Sequence, residues 1–254
     1  MNNKIATSFF LMFFCVVPLL ADGLNITPAK TEIVIKKEMS QKGSYSVINT
    51  YSVPVDVAIS ARTWNNSPEN KDVKVEDWFK FFRKSLRLQA GEKGELRYEV
   101  SSKNFTGSLS AMVSFTVSAP GTSGLSLMSS VPIYMTIDGT QTIGFMVSGM
   151  SVQDQRQYNS EDKRINVSYT VKNDGNIPLR FSGTLKVLKG KKTIVEQGIG
   201  EQPPVYAGLE RTFYERLAPL PKGKYVLNVS LNAFDKTAEK SIQFRVNKYG
   251  DVSF

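Results

Sequence analysis

An all-β chain of two consecutive immunoglobulin-like β-sandwiches is what the sequence predicts, on three observations. From Leu24 onward apolar residues recur with a period of two. That is the signature of strands with one buried face. The runs are short and separated by turn-rich breaks such as KGS (42–44), AGEKGE (90–95) and APGTSG (119–124), and the whole set of runs occurs twice. Short strands with regular turn signals read as sandwiches.

The first element is a leader. MNNKIATSFFLMFFCVVPLLADGLN places Lys4 ahead of an apolar stretch from about Phe9 to Leu20, followed by the small-residue run Ala21-Asp22-Gly23. This three-part pattern is that of a secretory signal peptide and is too short to span a bilayer. Residues 1–23 are therefore expected to be removed, with the cut after Gly23 or Ala21. Cys15, the only cysteine, lies inside this segment. The mature chain is then cysteine-free, and its domains are held by their cores without disulfides. No second apolar run approaches the length of a transmembrane helix.

The first sandwich is expected over residues 24–140. VPVDVAIS (53–60) sets Val53, Val55, Val57 and Ile59 on one face, and SLSAMVSFTV (108–117) does so with Leu109, Ala111, Val113, Phe115 and Val117. About seven strands are readable before Ile137, the number such a sandwich needs. The second is expected over 141–254, with strands near 143–150, 164–172, 179–188, 191–197, 206–217, 224–232 and 238–246. The segment IDGTQT (137–142) marks the boundary. In PKGKYVL (221–227), Tyr225 takes the place of a tyrosine that folds back onto the preceding loop. Both halves end one strand in a similar polar turn, at Asn49 and Asn173, where an amide side chain suits hydrogen bonds to the turn backbone.

Composition narrows function by what it lacks. There is no histidine. Without His, and without Cys in the mature chain, a Ser-His-Asp triad, a Cys-His pair and an ordinary zinc site are all excluded. One Ser-x-x-Lys spacing, Ser160 to Lys163, sits in the polar stretch QDQRQYNSEDKR. No apolar flank there desolvates the lysine into a base. Carboxylates are scattered along the chain. The expectation is a non-catalytic protein with no cofactor and no metal.

The formal charge is +9. Such a balance attracts anionic surfaces, though a solvated basic surface is the commoner reading, and export argues against nucleic acid. Lys189-Gly190-Lys191-Lys192 has the composition of a hairpin turn. A more pointed cluster is EDWFKFFRKSLRL (76–88), in which Trp78, Phe79, Phe81 and Phe82 alternate with Lys80, Arg83, Lys84 and Arg87. On a helix, Val75, Trp78, Phe79 and Phe82 share one face; on a strand the pattern is poorer. Three readings compete: a membrane-docking patch, a stacking platform, or a cross-connection whose aromatics cap the sandwich. The base rate for aromatics at helical spacing favours capping. The basic side chains Lys80, Arg83, Lys84 and Arg87 then form an outer face open to an anionic surface.

VINTYSVPVDVAI (47–59), LRLQAGEKGELRYEV (86–100) and TGSLSAMVSF (106–115) stand in an order that resembles the N-terminal domain of periplasmic pilus-assembly chaperones. The likeness covers roughly residues 24–137; the second half matches only as an immunoglobulin-like sandwich. The resemblance implies a final first-domain strand whose alternating apolar residues are lent to an incomplete partner by strand addition. LSLMSSVPIYMTI (125–137) carries such a row in Leu125, Leu127, Val131, Ile133, Met135 and Ile137, broken only by Ser129. Pro132 suits an edge strand. The competing reading is that Val131 to Ile137 fill the protein's own core. The resemblance also implies a pair of basic anchors for a partner's terminal carboxylate. Lys30 supplies the first, whereas no basic residue lies in 125–137 to supply the second.

Together these readings predict an exported envelope protein, periplasmic or at the cell surface. It would act as an assembly chaperone or accessory factor for secreted or envelope proteins, pilin-like subunits among them. The alternative is a module that adheres to cell wall or an anionic surface.

Overall fold

The computed structural model describes residues 23–118, 126–154, 161 and 164–254. The leader, Leu125 and the Ser160–Lys163 pair lie outside the described residues. The chain folds as two immunoglobulin-like β-sandwiches in sequence.

In the first sandwich, β1 (Leu24–Thr27), β3 (Ser40–Asn49), β7 (Lys93–Ser101) and β5 (Phe79–Phe81) form one sheet in the order β1-β3-β7-β5. The facing sheet has the order β2-β9-β8-β4-β6, built from β2 (Thr31–Lys36), β9 (Ser126–Asp138), β8 (Ser108–Ser118), β4 (Val55–Thr63) and β6 (Ser85–Leu88). Alternation explains the strands: Val55, Val57 and Ile59 of β4 and Leu109, Ala111, Val113, Phe115 and Val117 of β8 all turn inward. Each such side chain, fully buried, contributes about 1.5–3 kcal/mol relative to exposure. Val53 does not join the inward row, because the strand starts only at Val55; it is 38% exposed.

The second sandwich pairs the sheet β10-β11-β14 with the sheet β13-β12-β15-β16-β17. Its strands are β10 (Phe145–Asp154), β11 (Ile165–Asn173), β12 (Ser182–Lys189), β13 (Lys192–Ile199), β14 (Glu210–Leu217), β15 (Gly223–Ala233), β16 (Lys236–Val246) and β17 (Val252–Ser253). Gly183 of β12 lies so close to β15 that a Cβ would collide with the Ser230 carbonyl oxygen. One buried cluster runs from Ile33 to Ile137 and a separate one from Val147 to Val246.

The helical spacing at 75–82 is realised differently. A single 3-10 turn, Val75–Asp77, is followed at once by β5, which pairs with β7 through Phe79↔Val100 and Phe81↔Tyr98. Pairing to β7 satisfies backbone groups that an isolated one-turn helix leaves open, so tertiary context overrides local period. Trp78 and Phe79 are buried and Phe81 partly so, while Phe82 is 49% exposed. The aromatic stretch therefore closes one end of the first core with all but its last ring.

Asn49 and Asn173 play one part in both sandwiches. Tyr51 N–H donates to Asn49 Oδ1 at 2.9 Å, and Asn49 Nδ2 donates to Val53 O at 2.9 Å and Gln89 O at 2.9 Å. Gly175 N–H donates to Asn173 Oδ1 at 2.9 Å, and Asn173 Nδ2 donates to Ile177 O and Val205 O, both at 2.8 Å. Each amide closes its own turn and pins a neighbouring loop to it. Tyr225 folds back as its sequence context predicts, its hydroxyl donating to Pro221 O at 2.5 Å.

Two hydrogen-bonded knots stand among the contacts between the sandwiches. At the first, Thr142 N–H donates to Asn176 Oδ1 at 2.7 Å, Asn176 Nδ2 to Thr140 O at 3.0 Å, and Ser108 Oγ to Asn176 O at 3.2 Å. At the second, the Tyr206 hydroxyl accepts from Trp64 Nε1 at 2.9 Å and lies 3.1 Å from the Tyr134 hydroxyl. Burial, then the Tyr206 hydroxyl, raises the Tyr134 phenol well above its ordinary value.

Candidate functional site

The first strand changes sheets partway. β1 pairs antiparallel with β3, and after Pro28-Ala29-Lys30 the chain crosses to the other sheet, where β2 pairs parallel with β9 from Thr31↔Ile133 to Lys36↔Asp138. β8 meanwhile pairs with β9 along its full length, from Ser118↔Ser126 to Ser108↔Thr136. Residues 133–136 of β9 are thus paired on both sides, whereas among the described residues 126–132 are paired with β8 alone. Backbone groups along the other edge of that half have no ladder partner among the described strands.

Side chains divide slightly earlier, between Ser130 and Val131. Val131, Ile133, Met135 and Ile137 are buried in the first core at 7, 0, 0 and 0% exposure. Of the apolar row read from the sequence, Ile133, Met135 and Ile137 therefore lie inside a filled ladder, where β2 already occupies the edge. Leu127 is 47% exposed and Met128 63%. Leu127 shares the inward face with its β8 partner Val117, itself buried at 1%, so the row on β8 is covered while its continuation on β9 is open. Leu125 lies outside the described residues. The stretch Ser126 to Val131 carries no charged side chain. Charged side chains are the usual guard against edge pairing. Elsewhere the molecule applies such guards: Lys236 and Lys240 of β16 donate to Ile143 O at 2.5 Å and Ser148 O at 2.6 Å, beside β10.

Lys30 stands just ahead of β2, where the free half of β9 ends. Its Nζ is 2.9 Å from Glu32 Oε1, and both side chains are about half exposed. Arg180, from the second sandwich, approaches the same Glu32 with Nε at 3.6 Å, and Glu201 at 3.8 Å. Glu32 therefore bridges cations from both sandwiches. Glu32 and Arg180 border a cleft of about 620 Å³ between the sandwiches, lined by Val34, Ile143, Ile177 and Phe234 among others. Sequence reading missed Arg180, because nothing in the local pattern around Pro178-Leu179 signals a contact with β2.

The basic face drawn from 80–87 does not stay together. Lys80 lies on β5 opposite Glu99 of β7, and Phe82 N–H donates to Arg97 O, which keeps the 82–83 segment beside β7. Lys84 O accepts from Ile59 N–H of β4, and Arg87, on β6, binds Asp56 at 2.8 Å. The chain passes from one sheet to the other between Phe82 and Ser85, so Lys80 and Arg83 part from Lys84 and Arg87.

Among the described residues, no three acidic, His or Cys side chains gather as a metal would require, and no helix is long and apolar enough to cross a membrane.

No protein-family model matches the chain. No curated protein matches it either. Many solved structures share the fold, fimbrial chaperones prominent among them. The class 5 fimbriae chaperone CfaA is 13% identical, over 86% of this chain and 98% of its own, with a TM-score of 0.48. The YadV chaperone is 13% identical over 87% and 98%, with a TM-score of 0.45. The E. coli chaperone DraB is 19% identical over 87% and 97%, with a TM-score of 0.41.

Proposed function

We propose that this chain is a non-catalytic, exported assembly chaperone or accessory factor that captures an incomplete envelope protein by strand addition to residues 126–132 of β9. The observation that carries the reading is the half-paired strand: β8 on one side, no paired strand on the other among the described residues, and no charge along Ser126 to Val131. Main-chain hydrogen bonds would supply the affinity, and Leu127, half exposed on the inward face, would take part in completing the partner's core. The sequence likeness of residues 24–137 to pilus chaperones points the same way, and a pilin-like subunit is the partner class it suggests.

Direction follows from β2. A strand added in the direction of β2 ends against Thr31, where Lys30 waits for a terminal carboxylate. Binding there requires the carboxylate to replace Glu32 in the Lys30 ion pair. That exchange is cheap, because an exposed pair contributes only about 0–1 kcal/mol.

Fluorescence anisotropy with a labelled nine-residue peptide of alternating valine and threonine tests this. The peptide is prepared with a free C-terminus and with an amidated one. Wild type binds both, the free acid more tightly. Leu127→Glu weakens both by tenfold or more, and Lys30→Gln removes only the preference for the free acid. Equal binding by wild type and Leu127→Glu, with the fold intact, would sink the proposal.

A further inference from the structure

The outer face of the sheet β1-β3-β7-β5 carries a second feature that strand capture does not use. On β7, Lys93, Glu95, Arg97 and Glu99 point outward, and the ladder sets Ser46 of β3 opposite Glu95, Ser44 opposite Arg97 and Lys42 opposite Glu99. On the other side of β7, Lys80 also stands opposite Glu99. The cations Lys42, Lys80, Arg83, Lys93 and Arg97 thus face two carboxylates, a local excess of three positive charges.

Shape accompanies the charge. A depression of about 550 Å³ is lined by Lys42, Phe82, Arg83, Glu95 and Arg97. A second, of about 360 Å³, adjoins it at Glu95 and has Ser44, Ser46 and Lys93 in its walls. Together they form a trough whose floor is two serines and backbone, running about 13 Å from Arg97 to Lys93 at ~3.3 Å per residue. At one end stands Phe82, the ring of the aromatic stretch that does not enter the core. Arg97 Nε holds Glu95 at 3.0 Å and, with help from Ser44, lowers its carboxyl below the ordinary range, so Glu95 remains an acceptor.

We propose that this trough binds a linear acidic polysaccharide. The chemistry fits in three respects. Fork-like guanidinium groups pair with carboxylate or phosphate substituents. Glu95 and the serine hydroxyls accept from and donate to sugar hydroxyls. The exposed ring of Phe82 offers a flat apolar surface for one sugar face. A bare lipid surface would need charge alone, and an exposed ring beside Arg83 and Arg97 is not required for that. The site is on the opposite sheet from the free half of β9, so each proposal stands or falls by itself.

Affinity electrophoresis of the full-length mature protein through gels containing polygalacturonate, or neutral dextran as control, tests it. Polygalacturonate retards wild type and dextran does not. Arg83→Gln with Arg97→Gln lowers the apparent affinity at least fivefold, and Phe82→Ala lowers it about threefold at unchanged net charge. The charge-matched pair Lys191→Gln with Lys192→Gln, in the β12–β13 turn, leaves binding within twofold. The proposal is overturned if wild type is not retarded, if the turn variant loses as much as the trough variant, or if phosphatidylglycerol vesicles bind as well as polygalacturonate with no effect of Phe82→Ala. All five substituted positions are exposed, and coincident thermal unfolding curves confirm that the fold is unchanged.

Discussion

Asn49 and Asn173 show how one side chain governs a turn. Each is fully buried, and each donates to backbone carbonyls of its own turn and of a neighbouring loop. Asn173→Ala leaves the Ile177 carbonyl and the Gly175 N–H without this partner and leaves the Val205 carbonyl with only the Leu179 N–H. Unpaired buried groups cost about 1–3 kcal/mol each, partly relieved by relaxation. Urea denaturation is expected to show a loss of about 2–4 kcal/mol, and Asn173→Asp recovers little of it, since a carboxylate cannot donate to those carbonyls. These two residues were legible in the sequence because Asn before a Pro- or Gly-containing turn has few other uses. Tyr225 was legible for a different reason, its place after the Pro221–Gly223 corner, where a sandwich tyrosine folds back onto the preceding loop. Arg180 and Tyr206 were not, because their roles depend on how the two sandwiches dock, which no local pattern encodes.

At the scale of elements, β9 joins two strands of different character. Period-two patterning correctly placed Leu127, Val131, Ile133, Met135 and Ile137 on a single face. It did not show where the covering sheet and β2 begin, and that is what separates a core row from an exposed one. Ile133→Glu places a charge at a site with no exposure and is expected to unfold the first sandwich. Leu127→Glu, already half exposed, is expected to shift the melting temperature by no more than a few degrees. Circular dichroism melts of the two variants check this, and similar losses would contradict the division between Ser130 and Val131. The 75–82 segment is the opposite case. Its helical period is real, but β7 offers a ladder, and three residues of strand take precedence over a turn that cannot stand alone.

For the whole molecule, the relation between the sandwiches rests on few groups. Tyr206 joins Trp64 and Tyr134 by its hydroxyl, and Asn176 ties Thr140, Thr142 and Ser108. Tyr206→Phe keeps the ring and removes only the hydroxyl. Small-angle scattering is expected to report a broader distribution of interdomain distances for this variant, with each sandwich still melting as in wild type. An unchanged distribution would assign the docking to Asn176 instead. Tyr134 lies on β9 itself, so loosening this knot also loosens the end of the strand nearest the cleft.

The point at which β2 starts has one more consequence. Because Thr31 fills the edge from Ile133 onward, the open stretch among the described residues is Ser126 to Pro132, about 23 Å at ~3.3 Å per residue. A partner strand added there, as proposed, would meet a fixed stop at its Thr31 end. A strand that terminates within that length can seat fully, whereas one that continues must leave the ladder at Lys30. Selection would then read where a partner's chain ends more than which residues it contains.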